Sequence, residues 1–201
     1  APNGMNFTEW QPNLPSNPYS ASKAAQEALA ISYWRTYSVP VVITNCMNMF
    51  GERQDVEKFI PMLIKKVDAG EKVTIHGSHE YIGSRFYLHA RNQADALLYI
   101  LEKLKPIMYE DNEGILRPSK YNVEGNIELN NLQVGLLVAD IMGKKLDYEL
   151  VDAHAARPGH DRRYALDGKK LRSLGWIPPI DFKKSLEKTI KWTLENKEWL
   201  Q

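Results

Sequence analysis

Tyr19 and Lys23 stand four positions apart at the start of a segment whose pattern predicts a helix. At that spacing two side chains share one face of a helix. A lysine ammonium beside a tyrosine hydroxyl favours the phenolate and lowers the pKa of the hydroxyl. Tyrosine then becomes a usable general acid or base near neutral pH. The pair could therefore move a proton to and from a substrate hydroxyl.

The spacing alone is weak evidence for catalysis. Chance gives about one such pair in a chain of this composition, and a second pair, Tyr99 and Lys103, is present. Either pair could be an ordinary contact on a helix surface. The surroundings distinguish them, because Tyr99 lies inside a predicted amphipathic helix, whereas Tyr19 follows Pro18 where a loop enters a helix.

The elements that must position Tyr19 and Lys23 follow from hydrophobic periodicity. The pattern predicts a helix over Ser20–Tyr37 and then a short apolar strand over Val39–Cys46, typical of a strand buried on both faces of a parallel sheet. Alternating helices and strands along the rest of the chain predict an α/β fold. Further helices are predicted at Asp55–Gly70, Gln93–Leu104, Asn131–Gly143, Asp167–Leu174 and Asp181–Trp199, with Asp55, Asn131 and Asp167 as N-caps. Strands are predicted at Lys72–His76, Arg85–His89, Tyr121–Val123 and Leu146–Val151. Loops are predicted at Lys105–Ser119 and Ala155–Tyr164.

Composition narrows the class of protein. The 201 residues include 26 Lys and Arg against 25 Asp and Glu, with a formal net charge of +1 and no long run of either sign. This speaks against a nucleic-acid binder with a basic face. No stretch approaches the roughly 18 apolar residues of a membrane span. A single cysteine excludes an internal disulfide and suits a reducing compartment. We expect a cytoplasmic protein without nucleic-acid or membrane partners.

The remaining reactive side chains indicate no metal site. His76, His79 and His89 show no second convergent pair, so we interpret them as surface or pocket histidines rather than zinc ligands. Cys46 falls in the predicted strand and is expected to pack in the core rather than act as a nucleophile.

The order of the segments around the pair is more specific than its spacing. Ser16–Lys23 is followed by an Ala-rich helix, the strand, and then Asn48 and Phe50-Gly51. This order resembles the extended short-chain dehydrogenase/reductase family of NAD-dependent epimerases and dehydratases. Six later segments resemble the dTDP-glucose 4,6-dehydratases within that family: Glu57–Pro61, Lys72–Gly77, Arg85–Leu88, Tyr121–Val123, Arg157–Asp167 and Leu174–Pro178.

The resemblance implies a role for particular residues. Tyr19 would take the proton from the sugar C4 hydroxyl as hydride passes to NAD, and Lys23 would lower the Tyr19 pKa and hold the nicotinamide ribose. The implied sugar-nucleotide contacts are Asn48, Arg85 and Arg157 at the diphosphate, Lys58 and Phe59 in the pocket, and Asn122 and His160 at the nucleotide end. For each arginine the alternative is a solvated surface charge.

The implied reaction is a sugar-nucleotide 4,6-dehydration. The sugar would be oxidised at C4, lose water across C5 and C6, and receive hydride at C6. A 4-epimerase or a decarboxylase is the alternative within the family, and a non-catalytic fragment or association module is the alternative outside it. In the family the helix that carries Tyr19 also packs against a partner subunit, so a homodimer is expected.

The chain departs from the family pattern at several positions. The family usually shows Asn-x-Tyr-Gly-Pro where this chain has Asn48–Glu52, and Tyr-Val-x-Asp where it has His89–Asn92. An acidic residue and Trp usually follow the arginine, where Phe86 and Tyr87 stand here. These changes leave the exact sugar nucleotide and its base open.

A glycine-rich turn for the pyrophosphate of NAD is missing from the chain. Such a turn needs closely spaced glycines after the first strand. Neither the G-x-G-x-x-G pattern nor a shorter variant occurs. We therefore expect the C-terminal portion of an enzyme, about a hundred residues short and inactive alone. Residues 1–54 would be the tail of a Rossmann-type parallel sheet, and 55–201 mainly a small α/β substrate-binding domain, with about 85–104 returning to the Rossmann part.

Overall fold

A computed structural model describes residues 4–78, 80–152 and 163–201. Helices and parallel strand pairs alternate, which confirms the predicted α/β class. The helices are α1 (Pro18–Tyr37), α2 (Phe59–Ala69), α3 (Ala90–Lys103), α4 (Asn131–Ile141), α5 (Lys169–Ser173) and α6 (Phe182–Glu195), followed by a 3-10 helix at Lys197–Leu200. The strands are β1 (Ile43–Cys46), β2 (Asn48–Phe50), β3 (Val73–His76), β4 (Ser84–His89), β5 (Met108–Glu110), β6 (Leu116–Pro118), β7 (Lys120–Val123), β8 (Glu128–Asn130), β9 (Tyr148–Val151) and β10 (Arg163–Tyr164).

Strand β4 is the centre of the largest sheet. It pairs in parallel with β2 and β10 and antiparallel with β8. Two further parallel pairs join β1 to β7 and β3 to β9, while β5 and β6 form an antiparallel hairpin. Parallel pairing needs a crossover between the strands. Strand β4 therefore brings together β2 and β10, which are far apart in the chain.

Two clusters of buried side chains form the core. The larger cluster lies between α2, β3, α4 and α6, and the smaller one lies between α3, β7 and α5. The larger includes Leu63, Ile64, Ile75, Val134, Val138 and Leu186, and the smaller includes Met47, Leu88, Ile100, Val123, Leu171 and Trp176. Burial of side chains of this size stabilises the fold by about 1.5–3 kcal/mol each.

Helix α1 forms where the sequence predicts it. Asn17 and Ser20 make a reciprocal capping box, and Pro18 occupies the first turn, where its missing N–H costs nothing. None of the residues of α1 is buried. The helix is held by an ion pair of 2.6 Å from Lys120 Nζ to Glu27 Oε1. Most side chains of α1 are therefore accessible to a ligand or to another protein surface.

The prediction that α2 begins at an Asp55 cap is wrong. Asp55 Oδ1 instead accepts a hydrogen bond of 2.8 Å from the Glu57 amide in a turn before the helix. The later start at Phe59 keeps Pro61 in the first turn, where no backbone N–H is needed. The predicted end is confirmed, since Gly70 adopts a left-handed conformation with φ 68°.

The predicted loop at Lys105–Ser119 is wrong, because most of it forms the β5–β6 hairpin. Asp111 Oδ1 accepts hydrogen bonds from the Glu113 and Ile115 amides at 3.0 and 2.9 Å and so builds the turn. Gly114 supplies the positive φ of 75°. Short strands joined by local turn chemistry lack the alternating apolar pattern that sequence analysis detects.

Several other boundaries differ from the prediction. Strand β1 is shorter and only half-buried, because β7 is its one neighbour within the described residues. Helix α4 is capped by Asn130 rather than Asn131. Gly168, not Asp167, stands at the N-cap of α5, although Asp167 Oδ1 accepts a bond from the Lys169 amide. Strands β2 and β8, of three residues each, were not predicted. Segments this short carry too little periodicity to register.

Arg163 ties three distant segments together. The side chain is buried. Its Nε and Nη2 donate to the two carboxylate oxygens of Glu128 at 2.7 and 2.9 Å. Its Nη1 donates to the Met5 carbonyl at 2.6 Å. The hydrogen bond from Arg163 lowers the pKa of Glu128, so this pair stabilises the fold above the ordinary Glu value and is lost as pH falls through the lowered pKa.

Replacing Arg163 with Met is expected to lower the free energy of unfolding by about 3 kcal/mol, because it leaves Glu128 without its main partner. Urea denaturation at neutral pH measures the change. Lys191→Met, on the exposed side of α6, is the matched control and should change the free energy of unfolding by less than about 0.5 kcal/mol. Equal midpoints for the two variants would contradict the role given to Arg163.

Candidate functional site

Tyr19 and Lys23 share a face of the first turns of α1, as predicted. The Tyr19 side chain is 72% exposed. The Lys23 ammonium lies over the Tyr19 ring, 5.6 Å from its centroid, and donates to Gln26 Oε1 at 3.3 Å. Both polar groups can therefore reach a ligand that approaches the start of α1.

The second pair is engaged in the fold. The Tyr99 hydroxyl donates to the Leu174 carbonyl. Gly175 lies against the same hydroxyl, and a Cβ built on it would be 2.8 Å away. Tyr99 therefore packs α3 against the end of α5, and of the two pairs Tyr19 and Lys23 are the exposed one.

Four of the predicted diphosphate and pocket residues lie on β2, on β4 and at the start of α2. Asn48 pairs in register with Tyr87, so it shares one face of the sheet with Tyr87 and Arg85, since alternate residues of a strand point the same way. Lys58 is exposed at the N-cap of α2, which has no side-chain cap. Phe59 packs against the larger core. An uncapped helix start next to a lysine favours an anionic ligand.

Arg85 is buried rather than a solvated surface charge, so that alternative is wrong. Its side chain is 8% exposed, and Nη1 donates to the Ser84 carbonyl at 2.6 Å. It lies on β4 beside Leu129 of β8 and Tyr164 of β10. A guanidinium held this firmly in a sheet presents its donors in a fixed orientation.

Asn122 serves the fold in this structure. It is completely buried, its Nδ2 donates to the Phe7 and Asp167 carbonyls at 2.9 and 3.2 Å, and its Oδ1 accepts from Asn45 Nδ2 at 3.1 Å. These bonds join the N-terminal arm, β1 and the segment before α5. The nucleotide contact of Asn122 stays a prediction.

Arg157, His160 and His79 lie outside the described residues, as does nearly all of the predicted loop at Ala155–Tyr164. Within the described ranges, no group of three or more His, Cys, Asp or Glu side chains is arranged to hold a metal ion. None of the helices in the same ranges combines the length and apolar character that a membrane crossing requires.

Sequence analysis missed a buried carboxylate in the connection after β2. Glu52 Oε2 lies 3.2 Å from His89 Nε2, and Glu52 Oε1 lies 3.3 Å from Arg91 Nη2. The signal that was available is the departure from the family pattern, which has Pro and Tyr where Glu52 and His89 stand.

Burial raises the pKa of Tyr87 far above its usual range, and its hydroxyl donates to Asn131 Oδ1 at 3.0 Å. Tyr87 therefore stays neutral and is not a usable acid or base near neutral pH.

Comparison with known sequences identifies relatives along the whole chain. A family model described as GDP-mannose 4,6 dehydratase matches residues 2–189. dTDP-glucose 4,6-dehydratase 1 of Escherichia coli K12 is 36% identical over 200 residues, which are 96% of this chain and 52% of that protein. The Salmonella typhimurium dTDP-glucose 4,6-dehydratase is 37% identical, with the same shares covered. The chain thus spans about half the length of the curated relatives it matches.

Solved structures share the fold. The dTDP-glucose 4,6-dehydratase of Bacillus anthracis, in complex with NAD, superposes with a TM-score of 0.82 at 32% identity, over 98% of this chain and 58% of that one. The UDP-glucose 4-epimerase of Thermus thermophilus, also with NAD, gives a TM-score of 0.81 at 26% identity, over 96% and 58%. The similarity extends through both cores, and the chain belongs to the GDP-mannose 4,6 dehydratase family of NAD-dependent epimerases and dehydratases.

Proposed function

We propose that this chain forms the substrate-binding half of an NAD-dependent sugar-nucleotide 4,6-dehydratase acting on dTDP-glucose or a close analogue. The observation that carries the proposal is the exposed Tyr19–Lys23 pair at the start of α1, in a chain 36% identical to dTDP-glucose 4,6-dehydratase 1 of Escherichia coli. The whole protein's activity, cofactor and substrate are all parts of this proposal.

The residues at the start of α1 fit one end of the cofactor. Tyr19 and Lys23 present a hydroxyl and an ammonium to solvent, which are suitable donors for a ribose, while the glycine pattern that would cradle a pyrophosphate is missing from the sequence. When bound, NAD supplies a reversible hydride acceptor. Tyr19 takes the proton of the sugar C4 hydroxyl as that carbon is oxidised. Lys23 stabilises by its charge the phenolate form of Tyr19 that accepts this proton, and it holds the ribose.

The substrate end of the site is proposed around β2, β4 and α2. Arg85 and Asn48 share a sheet face, and both can donate to the diphosphate. Lys58 and the uncapped start of α2 add positive potential, and Phe59 forms an apolar wall. Arg157 and His160 remain proposed contacts from the segment outside the described residues.

The two cores support the proposed division of the chain. Met47 belongs to the smaller core together with Ala96 and Ile100 of α3, which agrees with residues 1–54 and about 85–104 forming one Rossmann-type part. The larger core unites α2, α4 and α6 and would be the substrate-binding part. The smaller core also takes in Tyr121 and Trp176, so the proposed Rossmann part extends to these later segments.

A homodimer is part of the same proposal. On helix α1, about half or more of the surface of three apolar side chains is exposed: 58% for Leu29, 49% for Tyr33 and 69% for Tyr37. Apolar side chains in a row on an exposed helix are typical of a subunit interface.

The assay that tests the function uses the whole protein that carries this chain, with NAD and dTDP-glucose. A 4,6-dehydratase releases a 4-keto-6-deoxy sugar nucleotide, which absorbs in alkali. We expect this product. Conversion of dTDP-glucose to its C4 epimer without an alkali-absorbing product would favour the epimerase alternative, and no conversion of dTDP-glucose or UDP-glucose under saturating conditions would contradict the proposal.

A further inference from the structure

Glu52, His89 and Arg91 form a polar cluster at the carboxyl ends of β2 and β4. The side chains of His89 and Glu52 are only 3% and 9% exposed. Phe50 pairs in register with His89 and packs edge-on against its ring, with centroids 5.2 Å apart. A carboxylate buried to this degree is costly unless it is paired and hydrogen-bonded. The cluster therefore holds Glu52 firmly in place.

The hydrogen bonds determine which nitrogen of His89 carries the proton. Nδ1 accepts a bond of 3.1 Å from the Arg91 amide and so caps the start of α3. Nε2, 3.2 Å from the Glu52 carboxylate, is then the donor. The neutral ring thus satisfies two elements at once, the helix start and the connection that contains Glu52.

The connection 51–58, here called the β2–α2 loop, is held on a second side as well. Arg53 has a left-handed backbone conformation, with φ 66°, and its guanidinium lies 5.1 Å from the centre of the Trp192 ring on α6. Strained backbone of this kind persists only where the surroundings determine it. Gln54 Nε2 also donates to the Met49 carbonyl at 2.9 Å. These contacts fix the course of the chain between β2 and α2.

The two residues of the pair are far apart in the chain. Glu52 and His89 are separated by 37 positions, yet their side chains meet, and Arg91 lies 3.3 Å from the same carboxylate. The contact therefore joins the connection after β2 to the start of α3.

We infer that the Glu52–His89 pair positions the β2–α2 loop, and through it Lys58, for binding of the sugar nucleotide. The inference rests on the proposed function for the identity of the ligand. Glu52 and His89 are positioning residues, and they act on binding rather than on the chemical step. Losing either one frees the loop, so substrate binding weakens while proton transfer by Tyr19 is unaffected.

The experiment combines kinetics with hydrogen exchange on the whole protein. Glu52→Ala and His89→Phe should each raise KM for dTDP-glucose about tenfold with kcat within about twofold. The effect in the double variant should fall short of the sum of the two single effects, because both substitutions remove the Glu52–His89 contact. Glu52→Gln keeps an acceptor for Nε2 and should recover most of the loss. The control, Glu57→Gln, changes an exposed side chain of the same loop and should leave KM unchanged.

Backbone amides 53–58 should exchange at least about tenfold faster in Glu52→Ala than in the wild type. Unchanged exchange, additive effects in the double variant, or a fall in kcat at constant KM would each overturn the inference. Exchange needs no turnover. If the wild type fails to convert dTDP-glucose, the proposed function fails, while the exchange of the loop still decides whether the pair positions it.

The pH dependence of hydrogen exchange in the loop is a second test of the inference. Burial lowers the pKa of His89, with Arg91 and Lys188 acting in the same direction and Glu52 opposing them. A histidine with a lowered pKa stabilises the fold fully above its ordinary value of about 6.5 and loses that contribution as pH falls below it. Loop exchange, corrected for intrinsic rates, should therefore rise between about pH 7.5 and about pH 5.5 in the wild type and not in His89→Phe. A flat wild-type profile would overturn the role of His89.

Discussion

Replacing Tyr19 with Phe is expected to lower kcat/KM of the whole protein for dTDP-glucose by about 10³-fold, the usual scale for removing a general acid or base. The hydroxyl is the only group lost, and the side chain is 72% exposed, so folding should be unaffected. The reaction should fail at its first step, because no group remains to take the C4 hydroxyl proton. Steady-state assay of the 4-keto product measures the effect.

Three companion variants make the test specific. Lys23→Met should also reduce kcat strongly, since the phenolate loses its neighbouring charge. Tyr33→Phe, on the same helix and also exposed, should retain full activity. Lys103→Met, from the second Tyr–Lys pair, should be equally silent. Retention of more than a tenth of the activity in Tyr19→Phe would remove Tyr19 from the mechanism.

Replacing Gly125 with Ala is expected to lower the free energy of unfolding by about 3 kcal/mol. A Cβ at this position would lie 2.0 Å from the Tyr87 carbonyl oxygen in β4. Neither group can move freely, since Tyr87 pairs with Asn48 of β2. The added methyl would therefore displace β4, which carries Arg85 and pairs with the strand that carries Asn48. Chemical denaturation measures the loss, and weaker binding of dTDP-glucose should accompany it.

Gly143→Ala separates the steric effect from the conformational one. Gly143 has a positive φ of 64°, and no heavy atom lies within 4 Å of the place that a Cβ would occupy. The change should therefore cost only about 1 kcal/mol through backbone strain. If Gly125→Ala costs no more than Gly143→Ala, close approach of the Gly125 backbone to β4 is not what requires the glycine.

The predictions that succeeded concern local structure. Helix α1 depends on Asn17, Pro18 and Ser20, all within its own first turn, and α2 ends at Gly70 because that residue tolerates a left-handed conformation. Such interactions are complete within a few residues, so the sequence displays them directly. The start of α2 was mispredicted because the turn at Asp55 and a helix cap use the same type of side chain.

What the sequence could not show are contacts between distant segments. Nothing near Asn122 indicates that its amide bonds the Phe7 carbonyl 115 positions away. Likewise, the burial of Arg85 follows from β8 and β10 lying against β4. The residues of a short strand do not specify which strand it pairs with, because the hydrogen-bonding groups are the same backbone atoms in every residue.

By itself the sequence determined the α/β class, the helix that presents Tyr19 and Lys23, and the similarity to sugar-nucleotide dehydratases, since periodicity, capping and motif order are properties of consecutive residues. Only the tertiary structure decided that Tyr19 is exposed while Tyr99 is bound, that Asn122 serves the fold, and that Glu52 meets His89. Those outcomes depend on the register and packing of segments far apart in the chain, where the free energy of a side chain is set by neighbours that its own sequence context does not specify.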